Sequence, residues 1–305
     1  MRVLITGAGG NLGRVLAPAL EKNGHEPVLL DYRDIETAYP FIRGDVRDSQ
    51  VILEATKDID AIVHGAALHG IHLENYSNDD FWDLNVTGTK NVYEAALKNN
   101  VKKVLLCSTM GVYGESIPNH ENAYSLVTEE LELMPADVYG LTKKLCEELG
   151  EFYYRKHNIQ TIAFRLGMFV PETFVQYGLR LLVGGVDDRD VAHAFIQGLS
   201  NEEIGFDYFN IMSAVPFTVE DEKLLYSKPR DIIEKYYPGS KEIFTAKEVD
   251  VEGILRMWGT TYWSIQKAAE KLNFHPQYNF DGFLQALKED DRDYYPFANL
   301  PWWGV

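Results

Sequence analysis

The sequence predicts an α/β fold, in which a doubly wound parallel sheet is covered by helices on both faces and joined to a small C-terminal region. Two observations carry this prediction. Short apolar runs alternate with longer amphipathic ones through the first half of the chain, which is typical of β-α-β units. The 305 residues are 46% hydrophobic and 25% charged, an ordinary globular composition that can form a sizeable core.

Apolar runs indicate the strands, and helical periodicity indicates the helices. Strands are predicted at 2–6, 26–31, 61–65, 103–108, 161–166 and 208–212. Helices are predicted at 11–23, 50–56, 79–99, 137–156, 188–199, 260–272 and 280–288. The alternation ends after Leu166. Residues 1–166 with about 187–215 are therefore predicted to form one domain, and about 167–186 with 216–305 a smaller region.

Charge and composition exclude several classes of function. A net charge of −17 argues against nucleic acid or an anionic membrane as a partner, because both require a basic surface. No apolar run reaches the ~18 residues of a membrane span, and no secretory signal is recognised. Cys107 and Cys146 match no metal or redox spacing, so we expect reduced thiols and a cytoplasmic protein.

A glycine-rich turn follows the first strand and opens the first helix. Its residues are Gly7-Ala8-Gly9-Gly10-Asn11-Leu12-Gly13. Glycine permits the tight turn and the close approach of a phosphate, and the helix N-terminus adds free N–H groups. Five of these residues are interpreted as a dinucleotide-binding turn: Gly7, Gly10, Asn11, Leu12 and Gly13. Such a motif alone would also fit an ordinary turn.

Acidic and small residues after the next strands fit the same ligand. Asp31 ends the second strand, where a carboxylate accepts the ribose hydroxyls and repels a 2′-phosphate. This favours NAD over NADP, although the neighbouring Arg33 keeps NADP open. Asp45, beside Val46, either meets the adenine or is a turn residue. Ala66 and Ala67 would let the backbone lie against the dinucleotide.

Tyr139 and Lys143 form a candidate proton-transfer pair. They are four residues apart at the start of a helix, so they share one face. A nearby ammonium is expected to lower the pKa of the phenol, which would let Tyr139 accept the proton of a substrate hydroxyl. Such a pair alone is common. An ordinary surface tyrosine and lysine therefore stay open as the alternative.

Further candidates lie at the end of the fourth predicted strand and inside a helix. Ser108 is expected beside the cofactor, and Thr109 and Met110 beside the substrate, since ligands bind at the carboxyl ends of parallel strands. Asn85 either holds a water or a helix carbonyl in a proton path, or has no role. No metal site is predicted. Three histidines and a glutamate are close in sequence but share no ligand spacing: His64, His69, His72 and Glu74.

Seven ordered motifs resemble the extended short-chain dehydrogenase/reductases, specifically the NAD-dependent epimerase/dehydratase family. Besides the glycine turn with Thr6, they are Asp31, Gly44-Asp45-Val46, His64-Gly65-Ala66-Ala67, Asn85-Val86-Thr87-Gly88-Thr89, Ser108-Thr109-Met110-Gly111-Val112-Tyr113-Gly114 and Tyr139-Gly140-Leu141-Thr142-Lys143. Later blocks extend the similarity over nearly the whole chain. The resemblance implies a Rossmann domain, a small substrate-binding domain, a homodimer, and catalytic roles for Thr109, Tyr139 and Lys143.

Departures from the family pattern bear on the reaction. Family dehydratases carry an acidic pair where Met110-Gly111 follow Thr109, so dehydration is disfavoured. Residues 172–186 are short compared with the nucleotide-sugar enzymes and are similar to the uronate dehydrogenases. Arg180 in this segment is a candidate substrate clamp, or an ordinary surface arginine.

Three hypotheses follow. The first is an NAD-dependent dehydrogenase acting on a secondary hydroxyl of a small polyol, sugar or sugar acid. The second is a nucleotide-sugar 4-epimerase with tightly bound NAD. The third is a non-catalytic dinucleotide sensor, against which the set Thr109, Tyr139 and Lys143 argues.

Overall fold

Seven parallel strands form the central sheet of the computed structural model, which describes residues 1–118 and 120–300. The order across the sheet is β3-β2-β1-β4-β5-β7-β8. Two further strands, β6 and β9, pair in parallel outside it. The strands are β1 Arg2–Thr6, β2 Glu26–Asp31, β3 Phe41–Arg43, β4 Ala61–His64, β5 Lys103–Thr109, β6 Ser125–Val127, β7 Gln160–Leu166, β8 Phe206–Ile211 and β9 Thr261–Trp263. The prediction of an α/β fold is confirmed.

Helices connect the strands and cover both faces of the sheet. In chain order they are α1 Asn11–Lys22, α2 Ser49–Ala55, α3 Asn78–Phe81, α4 Gly88–Lys98, α5 Val138–His157, α6 Phe174–Arg180, α7 Asp188–Ser200, α8 Glu222–Ser227, α9 Pro229–Tyr236, α10 Ser240–Ala246, α11 Val251–Met257, α12 Gln266–Leu272 and α13 Phe280–Glu289. A single π-helical stretch, Trp82–Thr87, joins α3 to α4. No helix of the described residues is long and apolar enough to cross a bilayer.

The core is split by the sheet. Alternate side chains of a strand point to opposite faces, so Val3 and Ile5 pack under α1 and α7, whereas Leu4 packs under α2 and α4. A third cluster holds α6 against the C-terminal helices, where Phe174 and Phe283 are in ring contact. This third cluster makes the wall that faces the carboxyl ends of the strands.

Three elements differ from the sequence-based expectations. Residues 260–272 were expected to be one helix, but β9 occupies the start and α12 begins only at Gln266. The expected helix 79–99 is interrupted by the π-helical stretch. The short strands β3 and β6 were not predicted. Three-residue strands have too few residues to show the period of two that identifies a strand.

The sheet order changes direction between β1 and β4. From β1 the chain runs outward through β2 to β3, and it then returns to β4 on the other side of β1. In doubly wound sheets, ligands bind at the carboxyl ends of the strands beside this switch point. The fold therefore places the glycine turn after β1 and the segment after β4 at one binding cleft.

Candidate active site

One cleft runs along the carboxyl ends of the strands, with a volume of about 550 Å³. This lies within the range of about 300 to 1,000 Å³ that is usual for ligand pockets. One end is lined by Asp31 and Asp45, and the other by Tyr139, Met168 and Trp258. Most of the residues predicted for cofactor and substrate line it: Gly7, Gly10, Asn11, Leu12, Asp31, Asp45, Val46, Ala66, Ala67, Ser108, Thr109, Met110 and Tyr139.

The glycine turn has the geometry of a phosphate cradle. Gly7 has a φ of +69°, and a Cβ there would lie 2.6 Å from the backbone of Ala66. Gly10 precedes α1 with no side-chain cap, so the first N–H groups of the helix have no side-chain acceptor from that position. The side-chain oxygen of Asn11 is buried without a hydrogen-bond partner. Gly13 does not line the cleft but lets α1 pack against the backbone of Ala8.

Asp31 connects the glycine turn to the end of β2. Its carboxylate accepts hydrogen bonds from the backbone N–H of Gly9 at 2.9 Å and of Arg33 at 3.0 Å. The guanidinium of Arg33 lies 3.4 Å from the same carboxylate and also lines the cleft. The acidic group expected for the ribose hydroxyls is therefore in place, and the arginine beside it is partly neutralised.

Asp45 and Val46 form the opposite wall of this end. Arg47 holds the Asp45 carboxylate at 2.6 Å, and this contact lowers the pKa of Asp45 below its ordinary value. Val46 is buried against Gly88, where a Cβ would lie 2.7 Å from the valine side chain. The Asp45 carboxylate also accepts the backbone N–H of Arg47 at 2.8 Å, as expected for the turn residue considered as the alternative. Its contact with an adenine stays a prediction.

Thr109 and Tyr139 meet at the centre of the cleft. Thr109 ends β5 and Tyr139 is the second residue of α5. The Thr109 hydroxyl accepts the N–H of Gly111 at 3.1 Å. A Cβ at Gly111 would lie 3.5 Å from this hydroxyl oxygen and 3.9 Å from the Tyr139 ring, so the two side chains are close neighbours. Gly140 permits this approach, since a Cβ there would lie 2.6 Å from the Gly111 carbonyl oxygen. The structure thus brings together two of the predicted catalytic residues.

The pKa of Tyr139 is not lowered as the sequence suggested. Burial raises the pKa of the phenol, and the side chain of Thr109, the second cause, lowers it by less. The Lys143 ammonium donates to the Cys107 carbonyl at 2.7 Å. The side chain is buried behind the cleft wall. Instead the ammonium acts on His64, whose pKa is lowered to about 3 by burial first and by Lys143 second.

Ser108 lines the cleft on one side and contacts a buried ion pair on the other. It lines the cleft, but its hydroxyl donates to the Glu147 carboxylate at 2.5 Å. Glu147 in turn forms a buried ion pair with Arg165 at 2.7 Å. The Ser108 hydroxyl hydrogen is used by Glu147, so the expected contact of Ser108 with the cofactor can involve only its other atoms. The sequence did not indicate this series of contacts from Ser108 through Glu147 to Arg165, because α5 and β7 are neighbours only in the folded protein.

Asn85 lies behind the cleft rather than in it. Its amide oxygen accepts the N–H of Leu68 at 2.7 Å, and its amide nitrogen donates to the Leu68 carbonyl and to the Thr142 hydroxyl. The side chain is fully buried at 1% exposure. Asn85 therefore ties the loop after β4 to α5. A role for Asn85 in a proton path stays a prediction.

The structure does not bring Arg180 to the cleft, so both expectations for this residue are corrected. Its side chain has 0% exposure, which also excludes a surface arginine. The guanidinium pairs with Glu172 at 3.1 Å and donates to the Val170 carbonyl at 2.6 Å. A buried arginine needs a counter-charge in place. Glu172 supplies that charge and turns the guanidinium toward the protein interior.

Two cleft residues had no assigned role in the sequence. His69 lies beside Tyr139, with ring centroids 4.9 Å apart, and Trp258 closes the opposite wall from the end of α11. The His69 side chain is open to the cleft, and the surrounding protein atoms, and then Lys143, lower its pKa. A lone histidine or tryptophan carries no spacing signal, which is why pattern analysis could not select them.

Comparison with known proteins agrees with this geometry. The model of the NAD dependent epimerase/dehydratase family matches residues 3–175. The chain belongs to this family. It is 30% identical to the uronate dehydrogenase of Pseudomonas syringae pv. tomato over 220 residues, 66% of this chain and 75% of that one. It is 32% identical to the L-arabinose 1-dehydrogenase (NAD(P)(+)) of Haloferax volcanii over 177 residues, 54% and 66% of the two chains.

Solved structures show the same fold at lower identity. A short-chain dehydrogenase/reductase superfamily protein from Agrobacterium tumefaciens with bound NAD superposes with a TM-score of 0.72 at 21% identity, covering 96% of this chain and 98% of that one. The UDP-N-acetylglucosamine 4-epimerase of Bacillus cereus gives 0.69 at 22% identity, with coverages of 96% and 99%. The family is NAD-dependent, and its members among these relatives are enzymes that act on sugars or sugar nucleotides.

Proposed function

We propose that this chain is an NAD-dependent oxidoreductase that removes a hydride from a secondary hydroxyl carbon of a small sugar, sugar acid or similar polyol. The observation that carries the proposal is that Thr109 and Tyr139 lie side by side in the same cleft that the glycine turn lines. The names of the dehydrogenase relatives, uronate and L-arabinose 1-dehydrogenase, support the substrate class.

The residues of the cleft fit a dinucleotide. Gly7, Asn11 and Asp31 all line the cleft. The crowded backbone at Gly7 and the uncapped start of α1 can receive a pyrophosphate through N–H groups, and the carboxylate of Asp31 can accept the hydroxyls of an adenosine ribose. When bound there, NAD would supply the acceptor for the hydride. Asp31 favours NAD, and Arg33 beside it is the group that NADP would use.

Proton transfer falls to Tyr139. As the carbinol carbon loses its hydride, the substrate O–H bond breaks, its electron pair forms the carbonyl, and the phenolate of Tyr139 takes the proton. Thr109 orients the reacting oxygen through its hydroxyl. Lys143 anchors the end of β5 through the Cys107 carbonyl and contributes positive charge behind the site. In the reverse direction the buried, neutral phenol is the proton donor.

The segment between β7 and α7 argues for a free sugar rather than a nucleotide-sugar. It contains only the seven-residue helix α6, and the arginine of that helix is neutralised by Glu172. A nucleotide diphosphate would need exposed cationic side chains at this position. This supports a net dehydrogenase over the 4-epimerase. In the epimerase the bound nucleotide must hold the keto intermediate while its sugar ring rotates in the site.

We also propose a homodimer that forms through α5. Leu141 and Phe152 lie three helical turns apart on one face of this helix and are 39% and 42% exposed. Leu145, on the same face, is partly exposed. A row of apolar side chains on a long surface helix fits the same row of a second copy across a two-fold axis.

Replacing Tyr139 tests the proposed chemistry. Tyr139→Phe should lower kcat/KM for sugar oxidation by about 10²- to 10⁴-fold, because the proton acceptor is lost, while NAD still stabilises the variant against heat. In the unmodified chain kcat/KM should rise as the pH increases above 7, since burial holds the phenol protonated.

Tyr153→Phe is the matched control. This tyrosine is in the same helix, but its hydroxyl donates to Glu94 at 2.5 Å, away from the cleft. The control should keep its activity. Full activity in Tyr139→Phe would refute the proposed role of the phenol.

A further inference from the structure

The end of the cleft beyond Tyr139 is lined mainly by apolar side chains. They are Ile71, Met110, Met168, Phe169, Val170 and Trp258. Polar groups beside Tyr139 are the hydroxyl of Thr109 and the ring of His69, whose centroid lies 4.9 Å from that of Tyr139. Apolar and aromatic walls with a few fixed polar groups are typical of sites that hold the carbon face of a small ligand and select its hydroxyl groups individually.

No lysine or arginine among the described residues lines this end of the cleft. The arginines that line the cleft are Arg33 and Arg47, and both lie at the opposite end beside the carboxylates of Asp31 and Asp45. Arg180, the predicted anion clamp, has 0% exposure and is closed off by Glu172. A carboxylate or phosphate at the substrate end would therefore contact no cationic side chain, because the ammonium of Lys143 lies behind the wall and donates to the Cys107 carbonyl.

His69 does not provide that charge. Its Nδ1 accepts the N–H of Ile71 at 3.3 Å, so the neutral ring carries its hydrogen on Nε2. No described residue accepts a hydrogen bond from this Nε2–H. One neutral donor suits a hydroxyl group, whereas an ionised carboxylate in an apolar pocket requires a counter-charge.

We infer that the substrate end of this cleft accepts an uncharged ligand, a free sugar or polyol without carboxylate or phosphate. The inference rests on the proposed oxidation and narrows its substrate. His69 is assigned as a donor to a substrate hydroxyl, and the apolar wall from Ile71 to Trp258 covers the carbon face of the ring. Sugar acids, which share every other feature of these substrates, are disfavoured by the missing positive charge.

Matched substrate pairs test the inference. The purified chain is given NAD and either D-galactose or D-galacturonate, and either D-glucose or D-glucuronate, and formation of NADH is followed. The members of each pair differ only in the group at C6. The neutral member should have a kcat/KM at least about tenfold higher.

The outcomes distinguish the proposed oxidation from the inference that its substrate is uncharged. Equal or better oxidation of the acids would overturn the inference and leave the proposed dehydrogenase intact. If NAD stabilises the chain but neither neutral sugars, with L-arabinose and D-xylose added to the panel, nor the acids are oxidised, the proposed function fails and the inference fails with it.

A variant that adds a positive charge tests the inference independently of the wild-type substrate panel. Ile71→Arg places a cation on the apolar wall, and the preference for neutral sugars over uronates should fall about tenfold or more. Ile71→Gln is the control, since it is polar and long but uncharged, and it should keep the preference. Thermal unfolding of both variants shows whether they are folded. An unchanged preference in folded Ile71→Arg would contradict the inference.

Discussion

We propose that a single carboxylate, that of Asp31, governs which dinucleotide this cleft prefers. It holds the N–H of Gly9 at 2.9 Å and lies 3.4 Å from the guanidinium of Arg33. Two opposite charges therefore lie where the 2′-phosphate of NADP would bind. The Asp31 carboxylate repels that phosphate, and the Arg33 guanidinium would attract it once the ion pair with Asp31 is removed.

Asp31→Asn should shift the preference toward NADP. The amide keeps an acceptor for Gly9 but removes the negative charge, so the ratio of kcat/KM for NADP to that for NAD should rise about tenfold or more. Adding Arg33→Gln to this variant should reverse the gain. Initial-rate kinetics with both dinucleotides measures the ratio. A ratio that does not move in Asp31→Asn would show that the carboxylate has no part in the selection.

Residues were predictable from sequence where their role depends on position in a strand or helix. Thr109 at the end of β5 and Tyr139 at the start of α5 needed only the order of elements. Arg180 and the pKa of Tyr139 were not predictable, because both depend on burial and on partners distant in sequence. Glu172 neutralises Arg180, and burial of the Tyr139 phenol raises its pKa.

The helix α5 sets the geometry of the active site at the scale of one element. Asp137 caps its first turn by accepting the N–H of Gly140 at 2.7 Å. The missing side chain of Gly140 then lets the helix contact the carbonyl of Gly111. The cap and the glycine together fix where the second residue of the helix, Tyr139, meets Thr109.

Gly140→Ala should therefore damage catalysis more than stability. The new Cβ would lie 2.6 Å from the Gly111 carbonyl oxygen, so the helix must shift, and a displacement near 1 Å can cost about 10²-fold in rate. Alanine favours a helix by about 1 kcal/mol over glycine, which offsets part of the strain. Kinetics and thermal unfolding, measured together, separate the two effects.

Gly150→Ala in the same helix is the control for that experiment. Its Cβ would lie 2.6 Å from the Thr161 methyl group, in the core and far along α5 from the cleft. We expect lower thermal stability with kcat/KM unchanged. If Gly140→Ala kept full activity, the close contact of α5 with Gly111 would have no part in positioning Tyr139.

At the scale of the whole molecule, long apolar runs were enough to predict the sheet. All six predicted strands are present, with ends shifted by at most two residues. The C-terminal region was harder, since β9 and the short helices α8 to α11 gain their stability from the third core cluster and not from their own periodicity. The division into two regions stays a prediction. The third cluster supports it, but Ala268, Leu272 and Phe274 of the C-terminal part pack into the core under α1 and α7 instead.

The proposed homodimer makes the last prediction. If α5 pairs with a second copy, Phe152→Glu places two carboxylates against each other in an apolar contact and should convert the chain to a monomer. Val219→Glu alters an equally large apolar exposure, 58%, on the C-terminal region, and should leave the dimer intact. Light scattering after gel filtration gives both masses. If the unmodified chain is monomeric, the proposed homodimer through α5 is wrong. The exposed Leu141 and Phe152 are then ordinary surface residues.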